Sequence, residues 1–81
     1  MKRGIEKIIG KTITSVVVAE GNHSQEDQVF LLFSDGTHLE FYGSSFTCAD
    51  GLDRGGVAEA CSYAEKCGAH ISAVYPPIKR V

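Results

Sequence analysis

His38, Glu40 and Tyr42 alternate along one run of the chain, and alternate residues of a strand point to the same face. An imidazole, a carboxylate and a phenol side by side on an apolar surface suit a small-molecule pocket or acid-base work. They serve equally well as the polar rim of an interface built on Val29, Leu31 and Phe33. The rim is the simpler reading.

A second concentration of chemistry is the stretch 43–56, GSSFTCADGLDRGG, which runs into a helix. Exposed amides there, with Arg54, Gly55, Gly56 and several hydroxyls, suit an anion or phosphate. The glycines match neither the P-loop nor the dinucleotide-binding spacing. Asp50 and Asp53 also repel an anion, so a structural loop ahead of a capped helix is the plainer account. Cys48 is the cysteine placed in this polar loop and therefore the best candidate thiol nucleophile, but no spacing ties His23, His38 or His70 to it. Cys61 and Cys67 read as small apolar helix residues. Three histidines scattered over a loop and two strands form no ligand cluster, so no metal and no cofactor is expected. These residues lean away from an enzyme.

The elements that must position these groups follow from periodicity. Residues 2–9 suit a short basic helix with Ile5, Ile8 and Ile9 on one side, closed by Gly10. The β-branched run 12–19 is a strand, and the polar stretch 21–27 is a loop. Residues 29–33 and 37–42 are two more strands. Between them Asp35-Gly36 suits a two-residue type I′ turn. That turn sets Phe33 opposite His38, Leu32 opposite Leu39 and Phe30 opposite Phe41. Phe30, Leu32, Leu39 and Phe41 would then form one wholly apolar core face. The other face would carry Val29, Leu31, Phe33 and Tyr42 beside His38 and Glu40. That is too apolar for a solvated face, so the N-terminal helix or a second subunit must cover it.

After the loop, Asp53 is placed to cap a helix and Gly68 to end it. Val57, Ala60, Cys61 and Ala64 share its apolar stripe, with Cys67 at the edge. Residues 71–75 make a fourth strand, stopped by Pro76-Pro77, and 76–81 form a short tail. The order α-β-β-β-α-β predicts an α+β domain in which helices pack on an antiparallel or mixed four-stranded sheet.

The string Ile9-Gly10-Lys11-Thr12-Ile13, then a strand, then Leu32-Phe33-Ser34-Asp35-Gly36-Thr37-His38-Leu39-Glu40-Phe41, resembles a pattern of small uncharacterised bacterial α+β proteins. Orphan proteins of mobile gene cassettes are similar in size and style. The resemblance covers about the first half of the chain. It implies a helix and glycine ahead of an L-F-S-D-G-T hairpin, with no activity and no functional residues.

Length and charge set the outer bounds. Eighty-one residues, 43% of them apolar, make one domain of thin stability and exclude a multidomain enzyme or a large buried cavity. The formal charge of −2 hides a division: residues 1–11 carry net +3, residues 12–65 net −8 and residues 66–81 net +3. Basic ends that met in space could attract a phosphate backbone. The overall acidic balance makes nucleic acid the weakest of the partner classes. Glu6 and Lys7 interrupt any signal-peptide core, and three cysteines fit no disulfide framework, which points to a reduced cytoplasmic setting. The expectation is a binding protein that forms a homodimer through the second sheet face. The alternatives are a small-molecule binder or minor enzyme using His38, Glu40, Tyr42, Cys48, Arg54, Gly55 and Gly56, or nucleic-acid binding through the basic ends.

Overall fold

The β-branched and aromatic runs form an antiparallel sheet, with helices packed on it to complete a small α+β domain. The computed structural model describes residues 3–21, 27–43, 47–49 and 51–76. The elements are α1 (Arg3–Glu6), β1 (Ile13–Gly21), β2 (Gln28–Phe33), β3 (Thr37–Tyr42), β4 (Thr47–Cys48), β5 (Asp53–Arg54), α2 (Val57–Lys66) and β6 (Ala69–Tyr75). Strands lie in the order β4-β3-β2-β1-β6, and β5 also pairs with β3. The sheet is therefore larger than the expected four strands, because the stretch between β3 and α2 contributes two short pairings to β3. The last strand begins earlier than expected, at Ala69, and the N-terminal helix is shorter, ending at Glu6. Pro77 and the rest of the tail lie outside the described residues.

The β2–β3 register differs by one residue from the two-residue turn. Leu32 pairs with His38, Leu31 with Leu39, Phe30 with Glu40 and Val29 with Phe41. Gly36 N–H donates to Phe33 O at 3.2 Å, so the turn closes around Ser34 and Asp35. Gly36, at φ +85°, takes the left-handed position that ends a three-residue hairpin loop. Asp35 Oδ1 accepts from Thr37 N–H (3.1 Å) and from the Thr37 hydroxyl (2.6 Å), while Asp35 Oδ2 pairs with Lys11.

These bonds, Lys11 first and Thr37 second, pull the Asp35 carboxyl down to about 2. Its folded pKa lies below the unfolded one, so the stability it lends is present above pH ~4 and lost as pH falls toward 2. Asp35→Asn is expected to flatten that acid limb, as read by melting temperature against pH.

A one-residue slip exchanges which side chains of β3 share a face with those of β2. Phe30 and Leu32 therefore lie on the opposite face from Leu39 and Phe41, and the expected single core face becomes two clusters. One holds Val17, Ala19, Phe30, Leu32, Ala60, Ala64 and Ala69, with Val57, Cys61, Ile71 and Val74 packed around them. Here α2 lies on the sheet through its small-residue stripe, as its spacing implied. The other cluster holds Phe33, Leu39 and Cys48, with Ile8, Leu31, Phe41, Ala49 and Leu52 against it.

Two glycines fix the helices on either side of the sheet. Asp53 lies in β5 and does not cap α2. Gly56 is the N-cap, and its N–H donates to Glu59 Oε1 at 2.9 Å. That bond is the first cause of a lowered Glu59 pKa. Gly4 marks the close approach of α1: a Cβ there would collide with Ala49 O and lie 2.7 Å from Leu39 Cδ1. Alanine ordinarily favours a helix over glycine by ~1 kcal/mol. Gly4→Ala is expected instead to destabilise the domain by about 1–3 kcal/mol, the cost of overpacking, as measured by urea unfolding.

Candidate functional site

Alternation places His38, Glu40 and Tyr42 together on the α2 side of β3, as their spacing implied. The register adds Gln28, the partner of Tyr42, which sequence reasoning left out. It removes Val29, Leu31 and Phe33, which lie on the other face, so these three do not share a surface with His38, Glu40 and Tyr42. Nor are His38 and Glu40 a solvated rim: they are 4% and 8% exposed.

Helix α2 packs on β6, β1 and the near side of β2, and Tyr63 reaches from it toward β3. The Tyr63 ring meets the fully buried Phe30 edge-on, at 6.4 Å between centroids. Phe30 meets the His38 ring on another side at 5.7 Å. His38 Nδ1 lies 3.0 Å from Gly55 O. A carbonyl only accepts, so Nδ1 carries the hydrogen, and in the neutral ring Nε2 is left as an acceptor. Gln28 Nε2 donates to Glu40 Oε2 at 2.8 Å. The Tyr63 hydroxyl is pushed up to about 12, first by a hydrogen bond with Cys67 and then by the charges of Glu40, Cys67 and Asp53.

The remaining candidates do not join this group as a catalytic set. Cys48 is not in a polar loop: it lies in β4, buried in the second cluster, with its thiol donating to Ala49 O at 3.3 Å. Arg54 pairs across from Thr37, and Asp53 across from His38. Alternation therefore sets Arg54 on the face opposite His38, and the guanidinium adds no positive charge beside the imidazole. Gly55 enters through its carbonyl and Gly56 through its N–H to Glu59, which leaves both committed to internal bonds. The site thus carries acceptors and acids. Burial raises the Cys61 pKa, first by desolvation and then by Glu65, which disfavours its thiolate.

The other sheet face is apolar across four strands. Val16 pairs with Tyr75 on one side and Leu31 on the other, and Leu31 pairs with Leu39. One row below, Val18 pairs with Ala73 and Val29, and Val29 with Phe41. Ile8, Ala49 and Leu52 cover the β3 end of these rows. Toward β1 and β6 the rows lie open: Val16, Val18, Val29 and Ala73 are half-buried, and Tyr75 is 52% exposed. Phe33 shares this face but is already buried with Leu39, and Tyr42 points the other way.

Among the described residues no three His, Cys, Asp or Glu groups gather to hold a metal ion, and no helix is long and apolar enough to cross a membrane. Of the basic residues behind the nucleic-acid reading, Lys2, Lys79 and Arg80 lie outside the described residues. Comparisons of the chain with protein-family models, curated proteins and solved structures give no match.

Proposed function

We propose that this chain is a small cytoplasmic interaction protein that works as a homodimer, two copies packing through the open apolar sheet face. The carrying observation is the pair of apolar rows, Tyr75–Val16–Leu31–Leu39 and Ala73–Val18–Val29–Phe41, open at their β1–β6 end. Ile13, at the start of β1, is a further 52% exposed. A monomer of this size seldom leaves a contiguous apolar sheet surface in water.

Charge supports a second copy of the same chain as the occupant. The face is uncharged across its middle. The Lys11–Asp35 pair stands at one end, with the Lys11 ammonium 5.9 Å from the centre of the Phe33 ring. Glu20 and His70, 3.7 Å apart, stand at the other end, on the strand side shared by Val16 and Val18. A twofold axis between the sheets and across the strands sets the Glu20–His70 pair of one copy over the Lys11–Asp35 pair of its partner. Such a contact is self-complementary, as a twofold interface must be. The domain is a slab 17 Å thick with broad faces of 37 × 33 Å, and Ile8, Ala49 and Leu52 occupy only the β3 end of the contact face. Three free thiols, with Cys67 exposed, suit a reducing compartment.

Sedimentation velocity of the unaltered protein, from roughly micromolar to millimolar concentration, tests this reading. A concentration-dependent dimer is expected. A folded monomer throughout that range overturns it.

A further inference from the structure

The polar group on the α2 side of β3 has an acceptor left over. Gln28 is 4% exposed, and its Nε2 donates to Glu40 Oε2, a bond that fixes which way the amide turns because a carboxylate oxygen accepts. The amide oxygen is therefore not the atom that Glu40 engages, although it stays beside that carboxylate. It is buried and has no hydrogen-bond partner among the described residues. A buried carbonyl without a donor is costly, and native interiors rarely keep one without a use. Beside it lie the Glu40 carboxylate and, as strand neighbours on the same face, Phe30 and Tyr42, while Tyr63 meets Phe30 edge-on; His38 lies two residues beyond Glu40, further along β3. Asp53, paired across from His38, and Glu59, close enough to feel the imidazole, make the His38 end of this strand face acidic as well. The neighbouring cation, Arg54, is on the opposite face.

We propose that this cluster binds a small primary ammonium group, with Gln28 Oε1 and Glu40 as its acceptors and Tyr63 against its carbon stem. Three N–H donors on one compact cation match an acceptor-rich, acidic and aromatic site better than any anion does. The same chemistry is presented by a free amine and by a lysine side chain. The site lies on the sheet face opposite the proposed dimer contact, so it stands or falls independently of self-association.

The test follows the side-chain amide signals of Gln28 and the ring signals of His38 by NMR on the full chain. Methylammonium, tetramethylammonium and Nα-acetyl-lysine amide are each added at constant ionic strength. A saturable shift in the millimolar range is expected with methylammonium, and one at least about tenfold weaker with tetramethylammonium, which has no N–H to donate. A tighter response to the lysine amide assigns the ligand to a protein side chain, and a stronger response to methylammonium assigns it to a free amine. Gln28→Met and Glu40→Gln are each expected to weaken binding about tenfold while the melting transition stays cooperative. Should either variant fail to fold, the contrast between the two cations on the unaltered chain decides. Equal shifts with both cations, no shift of Gln28, or full binding by a folded Gln28→Met variant overturns the proposal.

Discussion

Val18→Lys is expected to leave the domain folded and abolish self-association, whereas Phe33→Asp, on the same sheet face, is expected to unfold it. The two positions differ in what covers them. Val18 sits in the open part of the face between Val29 and Ala73, so a lysine there can extend its ammonium into water in the monomer. In a dimer that ammonium would be trapped between two apolar layers, at a cost of several kcal/mol, and twofold symmetry applies the cost twice. A loss of about 4 kcal/mol already weakens self-association about a thousandfold. Phe33 is 4% exposed and packed against Leu39 and Cys48. Replacing it removes a ring worth about 3–5 kcal/mol and buries a carboxylate as well. A domain this small has only ~5–10 kcal/mol in total. Circular dichroism melts and sedimentation velocity together separate the outcomes. Dimerisation of Val18→Lys with unchanged affinity would remove the sheet face as the contact.

The register shows where the sequence was informative and where it was not. In β3 the order His38-Leu39-Glu40-Phe41-Tyr42 separates polar from apolar by alternation, so His38, Glu40 and Tyr42 could be grouped whatever strand lay beside them. The neighbouring Val29-Phe30-Leu31-Leu32-Phe33 is apolar at every position, and either register buries it equally well. The turn did not decide between them, because glycine supplies a positive φ as the second residue of a two-residue loop or the third of a three-residue one. Tertiary structure decided. Val17 and Ala19 of β1 commit Phe30 and Gln28 to the face under α2, and the Ile8–Leu52 layer takes Leu39 and Phe41. Gln28 could not be found without this step, since it joins Glu40 only when Tyr42 lies opposite. The 47–54 pairings were equally hidden, because two-residue strands carry no periodicity. The open face was legible in outline through Val29 and Leu31, but its β1 and β6 half needed the pairing of Val16 with Tyr75.

Phe30→Ala is expected to cost about 3–5 kcal/mol, enough to leave much of the protein unfolded at ordinary temperatures. Phe30 is 0% exposed and, with Leu32, supplies the bulk under α2, where Ala60 and Ala64 supply closeness but little volume. A cavity there has no long side chain nearby on the helix stripe to fill it. The ring also joins the core to the polar group, because it holds the His38 and Tyr63 rings edge-on from two sides. A gentler variant, Phe30→Leu, separates this second role from the first. Tyr63 ionises near pH 12 in the folded protein against about 10 in the unfolded chain. A raised folded pKa means that the stabilising term is complete below pH ~10 and is lost as pH climbs toward 12. If Phe30 holds Tyr63 beside Glu40 and Asp53, Phe30→Leu is expected to lower the tyrosine titration toward 10 and narrow that alkaline window. Absorbance titration of the folded variant, with the other tyrosines as internal references, reads the change directly. An unmoved titration would show that Cys67 and the helix alone place the phenol, and that Phe30 acts on stability only.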